Sequence, residues 1–156
     1  MSGSHPRFVV VPAAYVFLLR GEDGAREVLL QLRRGTGYMD EHWAAAAAGH
    51  VERGETVLEA AAREAAEEIG ITDLVLQPVC AMQRTGTSGR SVDERVDYFF
   101  TATSWSGEPR LVEPDKAADL RWFGLRDLPD PVVPHELAVL TAIRSGQVPP
   151  ILTHGF

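Results

Sequence analysis

Cysteine is nearly absent. Cys80 is the single one in 156 residues, so no internal disulfide can staple the chain, and a reducing cytoplasm is the expected compartment. Within its apolar run Cys80 reads as buried filler rather than as a nucleophile. Long hydrophobic stretches are also missing. The longest, Phe8–Leu19, is too short to cross a bilayer as a helix. Met1–Arg7 lacks the apolar core of a secretory leader, so no membrane partner is expected. Basic residues are in deficit, 15 Lys and Arg against 22 Asp and Glu, and the net charge of −7 disfavours a nucleic-acid backbone as partner. A small phosphorylated substrate stays compatible with that charge, because a bound cation reverses the local field.

What is present is ordinary in bulk: 45% apolar and 24% charged residues, as in a globular protein. The length predicts one domain over residues 1–156, burying about 68–70% of its unfolded surface. No internal repeat and no long linker interrupts it.

The informative stretch runs from Gly49 to Ile71. Thr56 with Glu59 three residues later has the spacing of a capping box, and Gly70 suits a left-handed stop. Together they predict a helix over Val57–Ile69, with Leu58, Ala61, Ala62, Ala65 and Ile69 as its apolar stripe. Glu64, Glu67 and Glu68 then fall at i, i+3 and i+4, on one face. Like charges so placed repel by roughly 0.2–0.5 kcal/mol per pair. A local cluster of hard oxygens is what Mg2+ or Mn2+ requires, although such a triplet alone reads as a solvated acidic face. The surroundings favour the metal. Arg63 lies beside Glu64 and four residues before Glu67, placed to hold a carboxylate. Gly49 and Gly54 permit a tight loop ahead of the helix.

Gly49, five residues, Glu55, seven residues, then Arg63-Glu64-Ala65-Ala66-Glu67-Glu68-Ile69-Gly70-Ile71 resembles the signature of the Nudix hydrolases at every fixed position. Ala65 stands where a larger aliphatic residue is more usual. The resemblance implies an α/β fold, the α/β/α sandwich with a mixed β-sheet, and hydrolysis of a nucleoside diphosphate linked to a further group with Mg2+ or Mn2+. It makes Glu64, Glu67 and Glu68 the metal ligands, with the carbonyl of Ala48 or Gly49 as a further one. It casts Arg63 as the group that orients a carboxylate, and Glu55 as a loop support or water-mediated ligand.

The family's general base varies. Glu64 is one candidate, and Asp93, Glu94 and Asp97 are loop or strand carboxylates outside the signature, with Glu113 and Asp115 behind them. Arg33, Arg34, Arg84 and Arg90 are candidates to neutralise phosphates, since a guanidinium fork matches phosphate. Tyr38 is the aromatic placed to stack on a base, while Phe99 and Trp122 read as core. The leading expectation is a MutT-like (d)NTP pyrophosphohydrolase giving monophosphate and pyrophosphate. ADP-ribose, dinucleoside polyphosphates or nucleotide sugars are alternative substrates, and a non-catalytic nucleotide sensor is the alternative of another class. The partners implied are a small nucleotide and, by family habit, a second copy in a homodimer.

Elsewhere, Phe8–Leu19, Glu27–Arg33, Leu74–Gln83, Glu94–Trp105 and Leu120–Phe123 read as strands. Pro134 opens a second helix to about Arg144, with Leu137, Leu140 and Ile143 as its apolar face. Trp43 followed by five alanines is helical by propensity. The corresponding segment of the Nudix hydrolases is a strand with Pro and Gly where Ala47 and Ala48 stand, and a strand is the expectation here. The tail Gln147–Phe156, with two prolines, is expected to be irregular.

Overall fold

In a computed structural model, which describes Gly3 and residues 5–156, one strand organises the sheet. β1 (Val11–Arg20) runs parallel to β6 (Glu94–Ala102) from Val11↔Arg95 to Leu18↔Ala102. On its other edge β1 pairs antiparallel with β4 (Ala47–His50), and at its end with β2 (Glu27–Arg33). β2 carries β3 (Trp43–Ala45) on one edge and β7 (Ala117–Gly124) on the other. β5 (Leu76–Thr85) lies antiparallel to β6, and β8 (Ile151–His154) closes that edge in parallel with β5. Among the described residues the result is a mixed sheet of eight strands.

The near-continuous apolar run of β1 has a simple cause: both of its faces are covered. Tyr15, Phe17 and Leu19 pack on one side with Val139 and Leu140 of α2 (Pro134–Ser145). Ala14, Val16 and Leu18 pack on the other with Ala60, Ala61, Ala65 and Ile69 of α1 (Val57–Ile69). Helix, sheet and helix therefore form three layers, the α/β/α arrangement.

α1 has the bounds its caps predict. The Glu59 amide donates to Thr56 Oγ1 at 3.1 Å, and Gly70 takes φ 69°. Its inward face is narrower in side chain than the predicted stripe: Ala60, Ala61, Ala65 and Ile69 are buried, whereas Leu58 is 51% exposed and Ala62 lies outside. The alanine run explains this. Ala46 and Ala47 lie fully buried beneath Ala60, Ala61 and Ala65, so methyl groups on both partners let the helix axis approach the strand closely. The run is extended, as expected, but it breaks at Ala46 into β3 and β4, which pair with β2 and β1 respectively. Helix propensity loses here because both neighbouring strands supply ladder partners.

Three expectations change. The tail is not wholly irregular: after Pro149 and Pro150 the chain forms β8 along the free edge of β5. A strand of four residues is too short to show a period in the sequence. β1 starts at Val11, leaving Phe8 and Val9 exposed. The inward face of α2 is His135, Glu136, Val139 and Leu140, while Leu137 turns partly to solvent.

Glu136 has a structural partner. Its Oε1 accepts the Ala45 amide of β3 at 2.7 Å, tying α2 to the sheet. Burial pushes its carboxyl from the ordinary 4.5 up to about 7, with the Ala45 bond pulling partly back. The folded state therefore holds this proton more tightly than the unfolded chain does. Its stabilising contribution is complete below pH 4.5 and is lost as pH rises through about 7. A glutamine carbonyl oxygen can still accept from the Ala45 amide, so Glu136→Gln is expected to flatten the fall in denaturation midpoint across that window. Parallel pH profiles for the two proteins would remove Glu136 as the cause.

Candidate active site

The signature helix presents its carboxylates over the loop that precedes it, and Arg63 joins the two. Its Nε and one terminal nitrogen donate to Glu55 Oε2 and Oε1 at 2.7 and 3.0 Å, and that same nitrogen reaches the His50 carbonyl at 3.0 Å. Its other terminal nitrogen donates to Glu64 Oε1 at 2.8 Å and Glu67 Oε2 at 3.3 Å. The Glu55 carboxylate also accepts the Glu52 amide at 3.0 Å. These bonds, that from Arg63 foremost, hold the Glu55 carboxyl down at about 2, so it stays ionised. Arg63 thus fixes the loop and two helix carboxylates at once.

Glu64 and Glu68 meet on the inner side of α1, one turn apart. Glu68 Oε2 faces the Ala48 amide and Gln31 Nε2, each at 3.4 Å. Burial raises its carboxyl to about 9, with the hydrogen bond and the charge of Glu64 adding to the effect. Two acids pressed together in a poorly solvated place share a proton when nothing more positive lies between them. That donor set suits a divalent cation, which takes hard carboxylate oxygens and would take the place of the proton. Gly49 closes the other side. A Cβ at this position would overlap Glu64 Oε1 and the carboxyl carbon behind it, so only glycine leaves room for the carboxylate where it stands. Among the described residues no group of three acidic, histidine or cysteine side chains already surrounds a metal-sized space. Glu67, on the solvent side, is drawn toward Arg63.

Two cavities open beside this pair, and Glu68 and Gln31 line both. The first, about 350 Å³, is bounded by Arg33, Thr36, Glu113 and Lys116. Lys116 pairs with Glu113 at 3.1 Å. The second, about 180 Å³, runs under β1 and α2 and is bounded by Tyr15, Tyr38, Arg84, Arg95, His135 and Glu136.

The remaining candidates divide accordingly. Arg33 borders both cavities, its Nε and one terminal nitrogen donating to the Tyr38 carbonyl and Thr36 Oγ1 at 2.9 and 3.0 Å. Tyr38 and Arg84 border the second. Arg34 makes a two-pronged pair with exposed Glu41 at 2.8 and 3.0 Å, and it borders neither cavity. Arg90 is exposed beside Asp93. Asp93 accepts from Ser88 and Glu94 from Thr85 Oγ1 at 2.7 Å, and neither borders a cavity with Glu68. Asp97 is fully buried behind Arg84, with its carboxyl raised by that burial and lowered in part by the arginine.

Gln31, Tyr15, His135 and Glu136 have no role in the sequence reading. Their one visible signal is a polar His-Glu pair in the first turn of α2, next to apolar Val132 and Val133. Glu113, secondary in sequence, and Lys116, which has no role there, line the first cavity with Glu68.

The Gly49 contact is open to a direct test. Gly49→Ala is expected to weaken Mn2+ binding, read by electron paramagnetic resonance, by about tenfold to a hundredfold, as for a displaced supporting group. The thermal midpoint should move little, since the clash is with the end of a flexible side chain. Unchanged Mn2+ affinity would mean that Glu64 does not hold the ion from this position.

A family model described as the NUDIX domain matches residues 10–142. An isopentenyl-diphosphate Delta-isomerase of Cereibacter sphaeroides is 31% identical over 134 residues, covering 85% of this chain and 73% of that protein. The crystal structure of a MutT NUDIX hydrolase from Burkholderia pseudomallei is similar at a TM-score of 0.71 and 30% identity, over 83% of this chain and 96% of that one. The NUDIX domain of Shewanella oneidensis NrtR, solved with ADP ribose, shares the fold at a TM-score of 0.69 and 16% identity, over 88% of each chain. With the family model lying across the helix, its loop and both covering layers, the chain belongs to the Nudix family and is a hydrolase of pyrophosphate bonds.

Proposed function

We infer that this hydrolase cleaves nucleoside triphosphates, with Mg2+ or Mn2+, to a monophosphate and pyrophosphate. The observation that carries the reading is the Glu64–Glu68 pair, held by Arg63 and Gly49 at the junction of two unlike cavities. Glu64 and Glu68 would hold the cation, with Glu67 and the carbonyl of Gly49 as the further oxygens that the family pattern assigns to it. When bound, a divalent ion offsets phosphate charge and acidifies water.

The chain's own groups supply the rest. Arg33 and Lys116, on the wall of the first cavity, neutralise the leaving pyrophosphate. Glu113, facing Glu68 across that cavity, takes a proton from the attacking water. The water oxygen bonds to phosphorus, the bridging P–O bond between the α and β phosphates breaks, and the second product leaves with that oxygen. Arg63 keeps Glu64 from turning away and does not touch substrate. Asp93 and Glu94 line neither cavity and accept from Ser88 and Thr85, and Asp97 is paired with Arg84.

The isomerase relatives and the structure solved with ADP ribose name other diphosphates, which belong in the test. A panel of deoxynucleoside and ribonucleoside triphosphates, ADP-ribose, a dinucleoside polyphosphate, a nucleotide sugar and isopentenyl diphosphate is assayed with Mg2+ and with Mn2+. The expected outcome is pyrophosphate release from triphosphates, reduced by orders of magnitude in Glu68→Gln at an unchanged thermal midpoint. Preference for another diphosphate would reassign the substrate. Silence across the panel with both ions would favour a nucleotide-binding sensor.

A further inference from the structure

The second cavity contains groups that cleavage does not employ. Asp97 on β6 is fully buried, and its Oδ2 accepts from Arg84 Nε at 2.8 Å. Its Oδ1 is the one buried side-chain polar atom among the described residues that has no partner. Arg84 is only 11% exposed. With Nε committed, its two terminal nitrogens face the cavity. Their nearest oxygens there are Tyr38 OH at 3.5 Å and Tyr15 OH at 3.4 Å, at the limit of hydrogen bonding. The neighbouring arginines are anchored on neutral groups instead: Arg33 by Nε and one terminal nitrogen on the Tyr38 carbonyl and Thr36, and Arg95 by Nε on the Val92 carbonyl. Arg84 is the arginine of this lining whose Nε is anchored on a fully buried carboxylate, which fixes the direction of its fork.

We propose that Arg84, positioned by Asp97, reads the nucleobase, selecting the paired acceptors O6 and N7 of a 6-oxopurine over the amino and N7 edge of a 6-aminopurine. This inference rests on the nucleotide reading above and adds the base to it. A guanidinium only donates, so an edge that offers a donor leaves both partners unsatisfied. Its planar fork matches two adjacent acceptors, as in arginine readout of guanine in DNA.

Net charge gives a phosphate little advantage here. Asp97 neutralises Arg84 from behind, and the other two arginines of the lining, Arg33 and Arg95, are matched in number by Glu68 and Glu136. A neutral acceptor edge needs only the donors of the fork. A space of about 180 Å³ also takes a heterocycle rather than a triphosphate. Tyr15 is itself fixed, stacked on Phe99 at 4.6 Å and with its hydroxyl 3.3 Å from His135 Nε2. It thereby sets the width of the slot.

The test is the ratio of kcat/KM for dGTP and dITP to that for dATP at saturating Mg2+. The wild-type ratio is expected to be roughly ten- to a hundredfold, the discrimination typical of a bidentate pair. Arg84→Gln combined with Asp97→Asn, which strands no buried charge, should bring the ratio near one, with the change in KM rather than in kcat. Arg84→Lys keeps the charge against Asp97 but loses the fork, and it should also lower the ratio, even if the double variant does not fold. Calorimetric binding of GMP against AMP should follow the same order. Triphosphate hydrolysis without an oxo preference, or a preference that survives Arg84→Lys, overturns the base assignment and leaves the pyrophosphohydrolase reading standing. No hydrolysis of any triphosphate overturns that reading, and the assignment with it.

Discussion

Everything at the site depends on how one cation inside the protein distributes its donors. Arg63 has five N–H groups and places them on Glu55, Glu64, Glu67 and the His50 carbonyl. Carboxylates one turn apart repel, and a glycine-containing loop such as His50–Glu55 costs conformational entropy to order. Arg63 opposes both effects with charge-assisted bonds. Lysine, a single point charge, could not span loop and helix together. The remaining conflict, between Glu64 and Glu68, is one that a divalent ion would relieve. The same group that stabilises the scaffold thus leaves two acids in a high-energy arrangement on its inner side.

The closeness of α1 to the sheet follows from size rather than polarity. Alanines on β3, β4 and α1 allow the helix to sit low, which brings Glu68 within reach of Ala48 and Gln31. A larger aliphatic residue at Ala46 or Ala61 would lift the helix and its carboxylates together. The alanine run is therefore part of the active-site geometry, although none of its side chains can take part in chemistry.

Much of this was legible before any coordinates. The span of α1 follows from Thr56 and Gly70, whose capping chemistry is local. The shared helix side of Glu64 and Glu68 follows from i, i+4 spacing, also local. Less legible were contacts set by long-range register. Nothing near Asp97 in sequence says that Arg84 lies beside it across β5 and β6, or that His135 approaches from α2. Asp97, Asp93 and Glu94 look equivalent in a row of acids, yet Asp97 lies within β6 and is buried, Glu94 is the first residue of that strand, and Asp93 lies in the turn before it. Glu136 illustrates the reverse failure. A charged residue in the first turn of a helix normally faces water, and only the spare amide of β3 accounts for its burial.

Glu68 standing on a wall common to both cavities has a pharmacological consequence. On the proposed roles, filling the region around Arg84 brings a compound against Glu68 and Gly49, which line the same cavity. A small neutral heterocycle lodged there would compete with substrate from beside the carboxylate proposed to hold the cation. Chelating compounds directed at the first cavity would meet Glu68 without reaching Arg84. Ligands joining the two would have to pass the Glu68 carboxylate, so the linker, rather than either end, would set how tightly they bind.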